Sequence, residues 1–239
     1  MFPAARPRSR PPPAPVSVFA KASIPWVAPF AVFIALLAGL KPLAIPQPYE
    51  AILWIVLLVA VMWFVSRDVI ELRPRFPVAS IALGLAVCAM WVAPDALFPG
   101  WREHWLFSND IVGRPTISLD EAARRDTLTL VLRAARAALL VPILEELFWR
   151  GWLPRVIADP DDFRRVPLGT YTPLAFWATA ILFASEHGSY WEVGLLCGIV
   201  YNWWMIRTKS LADLILVHGV TNAALSGYVV LTGKWQYWM

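Results

Sequence analysis

Two adjacent carboxylates and an arginine, Glu145, Glu146 and Arg150, lie inside a strongly apolar stretch of the sequence. Each charge would cost about 2.5–3.5 kcal/mol at the centre of a membrane helix. These side chains must therefore be paired, lie near the membrane surface or face a wet cavity, where membrane enzymes and transporters keep their chemistry. On a helix Glu146 and Arg150 share a face, which predicts an ion pair. Glu145 is five residues from Arg150, so its carboxylate is predicted to stay free to react.

Two later apolar stretches also carry polar side chains. Phe183 and His187 end one of them, while His218 and Asn222 lie four residues apart in the other and share one face of a predicted helix. Each element alone has a structural alternative. A solvated salt bridge at the interface would explain the glutamates, and an interfacial position would explain the first histidine. A hydrogen bond between helices would explain the second histidine and its asparagine.

The composition is that of an integral membrane protein. Of the 239 residues, 59% are hydrophobic and 16% are charged, well below the quarter that is typical of soluble domains. The 14 tryptophans and 6 tyrosines fit a chain with two membrane–water interfaces. The net charge of +4 would suggest nucleic acid for a soluble protein, but here it indicates basic residues on the cytoplasmic side. The expected partner is therefore the lipid bilayer and not nucleic acid.

The apolar runs predict an all-α fold, a polytopic membrane bundle of about seven to eight transmembrane helices. A membrane-embedded interfacial helix over residues 119–136, if separate, would raise the count from seven to eight. The predicted spans cover residues 24–40, 49–66, 76–92, a helix from about 119 through the Glu-Glu stretch, 173–185, 193–206 and 211–231.

The chain is predicted to divide into an arm and one membrane domain. Residues 1–23 contain four basic residues and six prolines, which predicts a disordered or extended arm. Residues 24–239 are predicted to form a single transmembrane domain. With the arm inside, thirteen Arg and Lys residues lie on the predicted cytoplasmic side and six on the other. This asymmetry predicts a cytoplasmic N-terminus.

Two polar or aromatic segments are predicted to lie at the membrane surface. Residues 95–125 interrupt the apolar pattern, and Ser118 followed by Glu121 is a capping-box pattern that predicts the start of an interfacial helix. The aromatic stretch at residues 201–204 is predicted to mark an interface belt.

The helix that leads into the Glu-Glu stretch contains further unusual residues. Arg133 and Arg136 are expected to snorkel to the surface or to line a cavity. Pro142 lies three residues before Glu145, and a proline inside a membrane helix frees a carbonyl and permits a kink. A kink beside polar residues favours a water-accessible site.

The three polar elements occur in the order Glu-Glu-x-x-x-Arg, Phe-x-x-x-His and His-x-x-x-Asn on three membrane segments. This order resembles the CAAX protease and bacteriocin-processing family of intramembrane glutamate proteases, which includes the Ras-converting enzyme type and the bacterial Abi proteins. The resemblance covers about residues 119–231, the predicted catalytic part. The general layout is similar to that of the CAAX protease-related proteins that accompany exosortase systems.

The resemblance implies a role for each motif residue. Glu145 would be the general base that activates a water, assisted by His187. His218 and Asn222 would stabilise the oxyanion that forms at the scissile carbonyl.

Glu146 and Arg150 would support the site without reacting. No cofactor or metal is expected. Zinc is the alternative, because His and carboxylate side chains also bind it, but the His-Glu-x-x-His helix of many zinc proteases is absent.

These expectations describe a membrane endopeptidase that hydrolyses peptide bonds of membrane-associated substrates with a glutamate-activated water. It would lie in a bacterial inner (plasma) membrane and act on a peptide or a membrane-anchored protein; the sequence indicates no oligomeric state. Two alternatives stay open. One is a catalytically silent immunity, accessory or binding protein on the same fold, and the other is a transporter whose polar side chains line a substrate or proton path.

Overall fold

The computed structural model describes residues 16–238, which contain eight helices, several short 3₁₀ turns and no strand. The prediction of an all-α fold is therefore confirmed. The helices are α1 Val16–Gly39, α2 Tyr49–Ser66, α3 Pro77–Leu97, α4 Glu121–Arg125, α5 Thr127–Ala158, α6 Pro173–Ser185, α7 Trp191–Thr208 and α8 Leu211–Thr232.

The helices form a bundle with an apolar outer surface. Of the helices described, α1, α2, α3, α5 and α8 are long and apolar enough to cross a membrane, and α6 is apolar but shorter. Phe64, Val78 and Leu231 are each more than four-fifths exposed. Large apolar side chains that are exposed over a whole bundle fit contact with lipid and would be a liability in water.

Each predicted span falls on a helix, although only five of the described helices are long and apolar enough to cross a membrane. The spans at 49–66 and 173–185 agree with helices at both ends. Two other predicted ends are wrong. Helix α1 begins at Val16, so residues 16–23 are helical and not part of an extended arm. The rest of the predicted arm lies outside the described residues. Helix α3 continues through Pro94 to Leu97, whereas the sequence pattern ended it at the proline.

The predicted helix start at Ser118 is also wrong. Helix α4 begins at Glu121, and the carboxylate of Asp120 caps it by accepting a hydrogen bond from the amide of Ala123 at 2.8 Å. The hydroxyl of Ser118 instead donates to the carbonyl oxygen of Trp238 at 2.6 Å. Ser118 therefore ties this segment to the C-terminal end of the described chain.

Helix α5 carries the Glu-Glu stretch and is irregular on both sides of it. Its N-cap is Asp126, which accepts hydrogen bonds from the hydroxyl and the amide of Thr129; these bonds lower the pKa of the Asp126 carboxyl. Two turns of the helix, Arg136–Leu140 and Leu147–Trp152, are π-helical. Such turns are rare and often occur at functional sites.

Helix α8 packs against both α3 and α5, and contacts with α3 fix its position along the bundle. A Cβ atom added at Gly84 of α3 would lie 2.6 Å from the carbonyl oxygen of Val217, so only glycine permits this approach. The buried carboxylate of Asp213 accepts hydrogen bonds from the amides of Arg75 and Phe76, both at 2.7 Å, at the start of α3. These contacts fix the position of the two polar motif residues on α8.

Candidate active site

Glu146 is the buried centre of a polar cluster. Its side chain is fully buried, and both of its carboxylate oxygens lie 3.1 Å from Nη1 of Arg150. One of them also lies 2.8 Å from Nδ1 of His218. The ion pair that helix spacing predicted is present. The contact between Glu146 and His218 also holds α8 against α5.

Arg150 extends this cluster to α7. Its Nε donates to Oδ1 of Asn202 at 3.1 Å, and the amide of Asn202 donates to the carbonyl oxygen of Phe176 on α6 at 2.8 Å. The guanidinium carbon lies 4.2 Å from the ring centroid of Phe183 and 5.3 Å from that of Tyr201. A buried arginine with a carboxylate, an amide and two aromatic partners joins helices α5, α6 and α7.

Glu145 differs from its neighbour because it has no close cationic partner. Within residues 16–238 its carboxylate makes no side-chain hydrogen bond, and the nearest basic atom, Nε2 of His218, lies 4.0 Å from its Oε2. The residue is 8% exposed. A carboxylate that is buried and not neutralised is available to accept a proton.

Asn222 is held by a carbonyl that the α5 proline leaves free. Val141 donates its amide to Arg136 in the π-helical turn, and Pro142 has no N–H to offer the carbonyl of Ala137. The side-chain amide of Asn222 donates to that carbonyl at 2.9 Å. The second N–H of the same amide remains for another acceptor.

His187 lies in the turn just after α6 and is oriented by the end of that helix. Its Nδ1 lies 2.7 Å from the carbonyl oxygen of Phe183, which can only accept, so Nδ1 carries the proton and Nε2 has a lone pair. The imidazole packs against the rings of Trp91 and Phe183 at centroid distances of 5.3 and 4.7 Å. A Cβ atom added at Gly194 would lie 3.1 Å from the imidazole, so α7 also bounds this ring.

The side chains of Glu145, His187, His218 and Asn222 line one cavity of about 210 Å³. The sequence placed them on three membrane segments, and the fold brings them together. Aromatic and aliphatic side chains form most of the remaining wall. These include Phe33, Leu37, Trp91, Val141, Phe183, Tyr201, Leu225 and Trp238.

The turn that carries His187 is braced by a charged network that sequence reasoning missed. Arg102 donates through Nη1 to the carbonyl oxygen of Ser189 at 2.6 Å and pairs with Glu192 at the same distance. Its Nε donates to Asp95 at 2.9 Å, and Asp95 also accepts from the hydroxyl of Tyr237 at 2.7 Å. The charged residues were visible in the sequence, but no local spacing indicates that they meet.

Tyr201 was also assigned wrongly from the sequence. The interface belt predicted for residues 201–204 does not include it, because it is 2% exposed and lines the cavity. Its hydroxyl donates to Thr221 at 3.1 Å, and its ring lies 5.3 Å from the imidazole of His218. Trp91, which sequence reasoning treated as part of a scaffold helix, contacts the other cavity histidine.

The cavity histidines and carboxylates do not form a metal-binding cluster. Among residues 16–238, no three or more His, Cys, Asp or Glu side chains are grouped so that they could hold a metal ion. The expectation that no metal takes part in the reaction stays a prediction.

Residues 127–224 match the family model described as Rce1-like, type II CAAX prenyl endopeptidase. The match spans about two fifths of the chain and contains all three motifs. This match confirms the resemblance of the segment to the CAAX protease family; the exosortase-associated subfamily stays a prediction. No curated protein and no solved structure matches the chain significantly. Together with the apolar helices, the family match supports an integral membrane protein of the peptide hydrolase class.

Proposed function

We propose that the protein is a membrane-embedded endopeptidase in which Glu145 activates the attacking water. The single observation that carries this proposal is the position of Glu145, buried and without a close cation, in the same cavity as His187, His218 and Asn222. The family match supports the reaction class, and the geometry supports the assignment of the general base.

In the proposed reaction a water lies between Glu145 and His187. Glu145 takes one proton from this water while the oxygen attacks the scissile carbonyl, and the lone pair on Nε2 of His187 helps to orient the water. When the tetrahedral intermediate collapses, Glu145 returns the proton to the leaving amine. The products are a carboxylic acid and an amine, so one water is consumed for each bond cut.

The oxyanion of the intermediate would be stabilised from α8. Asn222 has one N–H left after its bond to Ala137. His218 can donate from Nε2 only when both ring nitrogens carry protons, because Nδ1 already faces Glu146. Each such donor is worth about 3–4 kcal/mol in comparable hydrolases.

Glu146 and Arg150 have supporting roles in this proposal. They hold α5, α6, α7 and α8 in register around the cavity, so that the four reacting groups keep their positions. The substrate would be a peptide or a membrane-anchored protein that reaches the cavity from the bilayer. The excess of basic residues on one side supports a cytoplasmic N-terminus, and the proposed location is a bacterial inner membrane.

The test is cleavage of membrane peptides by the purified protein in lipid, with products identified by mass spectrometry. Wild type is expected to cut, and His187→Ala is expected to cut about a hundredfold more slowly or worse. Activity that a chelator removes and zinc restores would favour the metal alternative. If wild type cuts no peptide but transports one, the transporter alternative replaces this proposal. If it only binds a peptide, the catalytically silent protein replaces it.

A further inference from the structure

A second cavity lies at one end of the bundle and shares no lining residue with the candidate catalytic cavity. Its wall is formed by the last turns of α5, the loop 169–172, the first turn of α6 and the last turns of α7. Helix ends of a membrane bundle lie at the depth of the lipid headgroups. The volume of about 30 Å³ has room for about two waters, which suits the oxygens of one phosphate group and excludes a peptide.

Arg155 is a buried cation in the wall of this cavity with no anion beside it. The residue is 8% exposed, and no carboxylate oxygen of residues 16–238 lies within 4.0 Å of its guanidinium. Residues 1–15 and 239, outside the described part, contain no Asp or Glu. A buried cation without a counter-ion is unfavourable, so an anion from outside the chain would stabilise it.

The contacts of Arg155 orient its guanidinium without neutralising it. Nε donates to the carbonyl oxygen of Gly151, while Nη2 has no hydrogen-bond partner among residues 16–238. The guanidinium carbon lies 4.4 Å from the ring centroid of Trp26 on α1 and 5.0 Å from that of Phe163. Aromatic stacking leaves the N–H edge of a guanidinium for an anion with two or more oxygens.

Arg150 brings a second unused guanidinium nitrogen to the same cavity. It uses Nε on Asn202 and Nη1 on Glu146, but its buried Nη2 has no hydrogen-bond partner within the described residues. Glu146 also contacts His218, so its one negative charge is shared between two partners. The α5 wall therefore offers more donors than the chain itself satisfies.

The start of α6 adds uncharged donors to the same cavity. Thr172 caps the helix by accepting from the amide of Ala175 at 3.2 Å, so the proton of its hydroxyl remains for another acceptor. The N-terminus of this 13-residue helix carries partial positive charge, which favours phosphate. Gly169, with φ of +72°, lets the loop lie against α7, because a Cβ atom there would lie 2.5 Å from the carbonyl oxygen of Met205.

An apolar strip leads away from the cavity along α6. Leu174, Trp177 and Ile181 share one face of the helix and are 69%, 49% and 58% exposed. Tyr171, which lines the cavity, is also exposed at the start of this strip. A cationic cavity with room for one phosphate group beside an apolar strip matches a phospholipid, whose acyl chains continue from its phosphate.

We propose that this cavity binds the phosphate group of an anionic phospholipid, with the acyl chains along α6. Arg150 and Arg155 bind the phosphate oxygens through their unused N–H groups, and Thr172 donates its hydroxyl. The two arginines disfavour a zwitterionic headgroup, because its ammonium group would lie near them. The site is separate from the proposed reaction, so its test measures binding and not cleavage.

Native mass spectrometry of the protein in a neutral detergent counts the bound lipids. Phosphatidylglycerol and phosphatidylcholine with the same acyl chains are compared, and inorganic phosphate is added as a competitor. Wild type is expected to bind phosphatidylglycerol about tenfold more tightly than phosphatidylcholine. Equal binding of the two lipids would overturn the proposal. If inorganic phosphate displaces the lipid at an equal concentration, the ligand is free phosphate and the lipid proposal is wrong.

Arg155→Gln is expected to remove the preference for phosphatidylglycerol. Arg207→Gln is the matched control, because Arg207 is exposed near the same end of α7 and does not line the cavity. A preference that survives Arg155→Gln in a folded protein, or that falls equally in Arg207→Gln, would overturn the proposal.

Cross-linking gives a second test that needs no variant. Phosphatidylglycerol with a photoreactive group beside its phosphate is activated in the presence of wild type, and the modified peptides are identified by mass spectrometry. Cross-links are expected to concentrate in residues 169–177, which contain the cavity loop and the first turn of α6. Cross-links spread over the exposed helices without enrichment there would overturn the proposal.

Discussion

The imidazole of His218 and the carboxylate of Glu146 meet inside the bundle, with Nδ1 2.8 Å from Oε1. This contact joins α8 to α5 across seventy-two residues of sequence. It also leaves Nε2 of the histidine on the cavity side, 4.0 Å from Oε2 of Glu145. The two adjacent glutamates thus have different neighbours, and their substitution should have different consequences.

The first prediction concerns the stability of the two glutamate variants. Glu146→Gln removes the anionic partner of a buried arginine and is expected to destabilise the protein by about 3–5 kcal/mol. Glu145→Gln is expected to leave stability unchanged or to raise it, because a buried carboxylate without a close cation is replaced by a neutral amide. Thermal unfolding in the same detergent measures both. Equal midpoints for the two variants would contradict the structural role given to Glu146.

The second prediction concerns Asn222. Asn222→Ala leaves the carbonyl of Ala137 without its partner, which should cost about 1–3 kcal/mol of unfolding free energy and should lower kcat by removing an oxyanion donor. Thr232→Ala is the control, because that exposed hydroxyl bonds only within its own helix, to Tyr228. An Asn222→Ala variant as stable as the control would show that the carbonyl does not depend on the amide.

The third prediction uses two glycines of α8. A Cβ atom at Gly219 would lie 2.8 Å from the backbone oxygen of Ala138, whereas one at Gly227 would meet nothing within 4 Å. Gly219→Ala should push α8 away from α5 and reduce both stability and activity. Gly227→Ala should be neutral or stabilising by up to about 1 kcal/mol, because alanine favours helix. If the two variants behave alike, α8 does not lie as close to α5 as the structure places it.

The fourth prediction concerns the network that braces the turn before α7. Arg102→Gln leaves Asp95 and Glu192 without their shared cation and should lower stability by about 2 kcal/mol or more. It should also lower kcat more than it raises KM, because the turn positions His187 and binds no substrate. Arg67→Gln breaks an exposed pair with Asp68 and should change stability by less than about 1 kcal/mol. An unchanged kcat in a folded Arg102→Gln protein would argue against the positioning role.

Much of the fold follows from local patterns in the sequence. The spans at 49–66 and 173–185 agree at both ends because each is a continuous apolar run with clear breaks. The pairing of Glu146 with Arg150 follows from helix spacing alone. Glu145, His187, His218 and Asn222, on three segments, were expected to share a site, and they line one cavity.

Other features could not be predicted because they depend on contacts between distant segments. Two polar residues, Ser118 and Asp120, could each cap the helix, and the choice depends on Ser118 bonding to Trp238 more than a hundred residues away. The burial of Tyr201 depends on its contacts with α8. The first π-helical turn of α5, Arg136–Leu140, depends on the N–H that Pro142 lacks and on the Asn222 amide that replaces it.

The most direct test of the glutamate mechanism is the kcat of Glu145→Gln on a peptide that wild type cuts. Glutamine keeps the shape of the side chain but cannot accept the proton of a water. The kcat is expected to fall by about a hundredfold or more with KM little changed. The control Glu71→Gln, an exposed carboxylate outside the cavity, should keep wild-type activity. A Glu145→Gln protein that cuts as fast as this control would contradict the assignment of Glu145 as the general base.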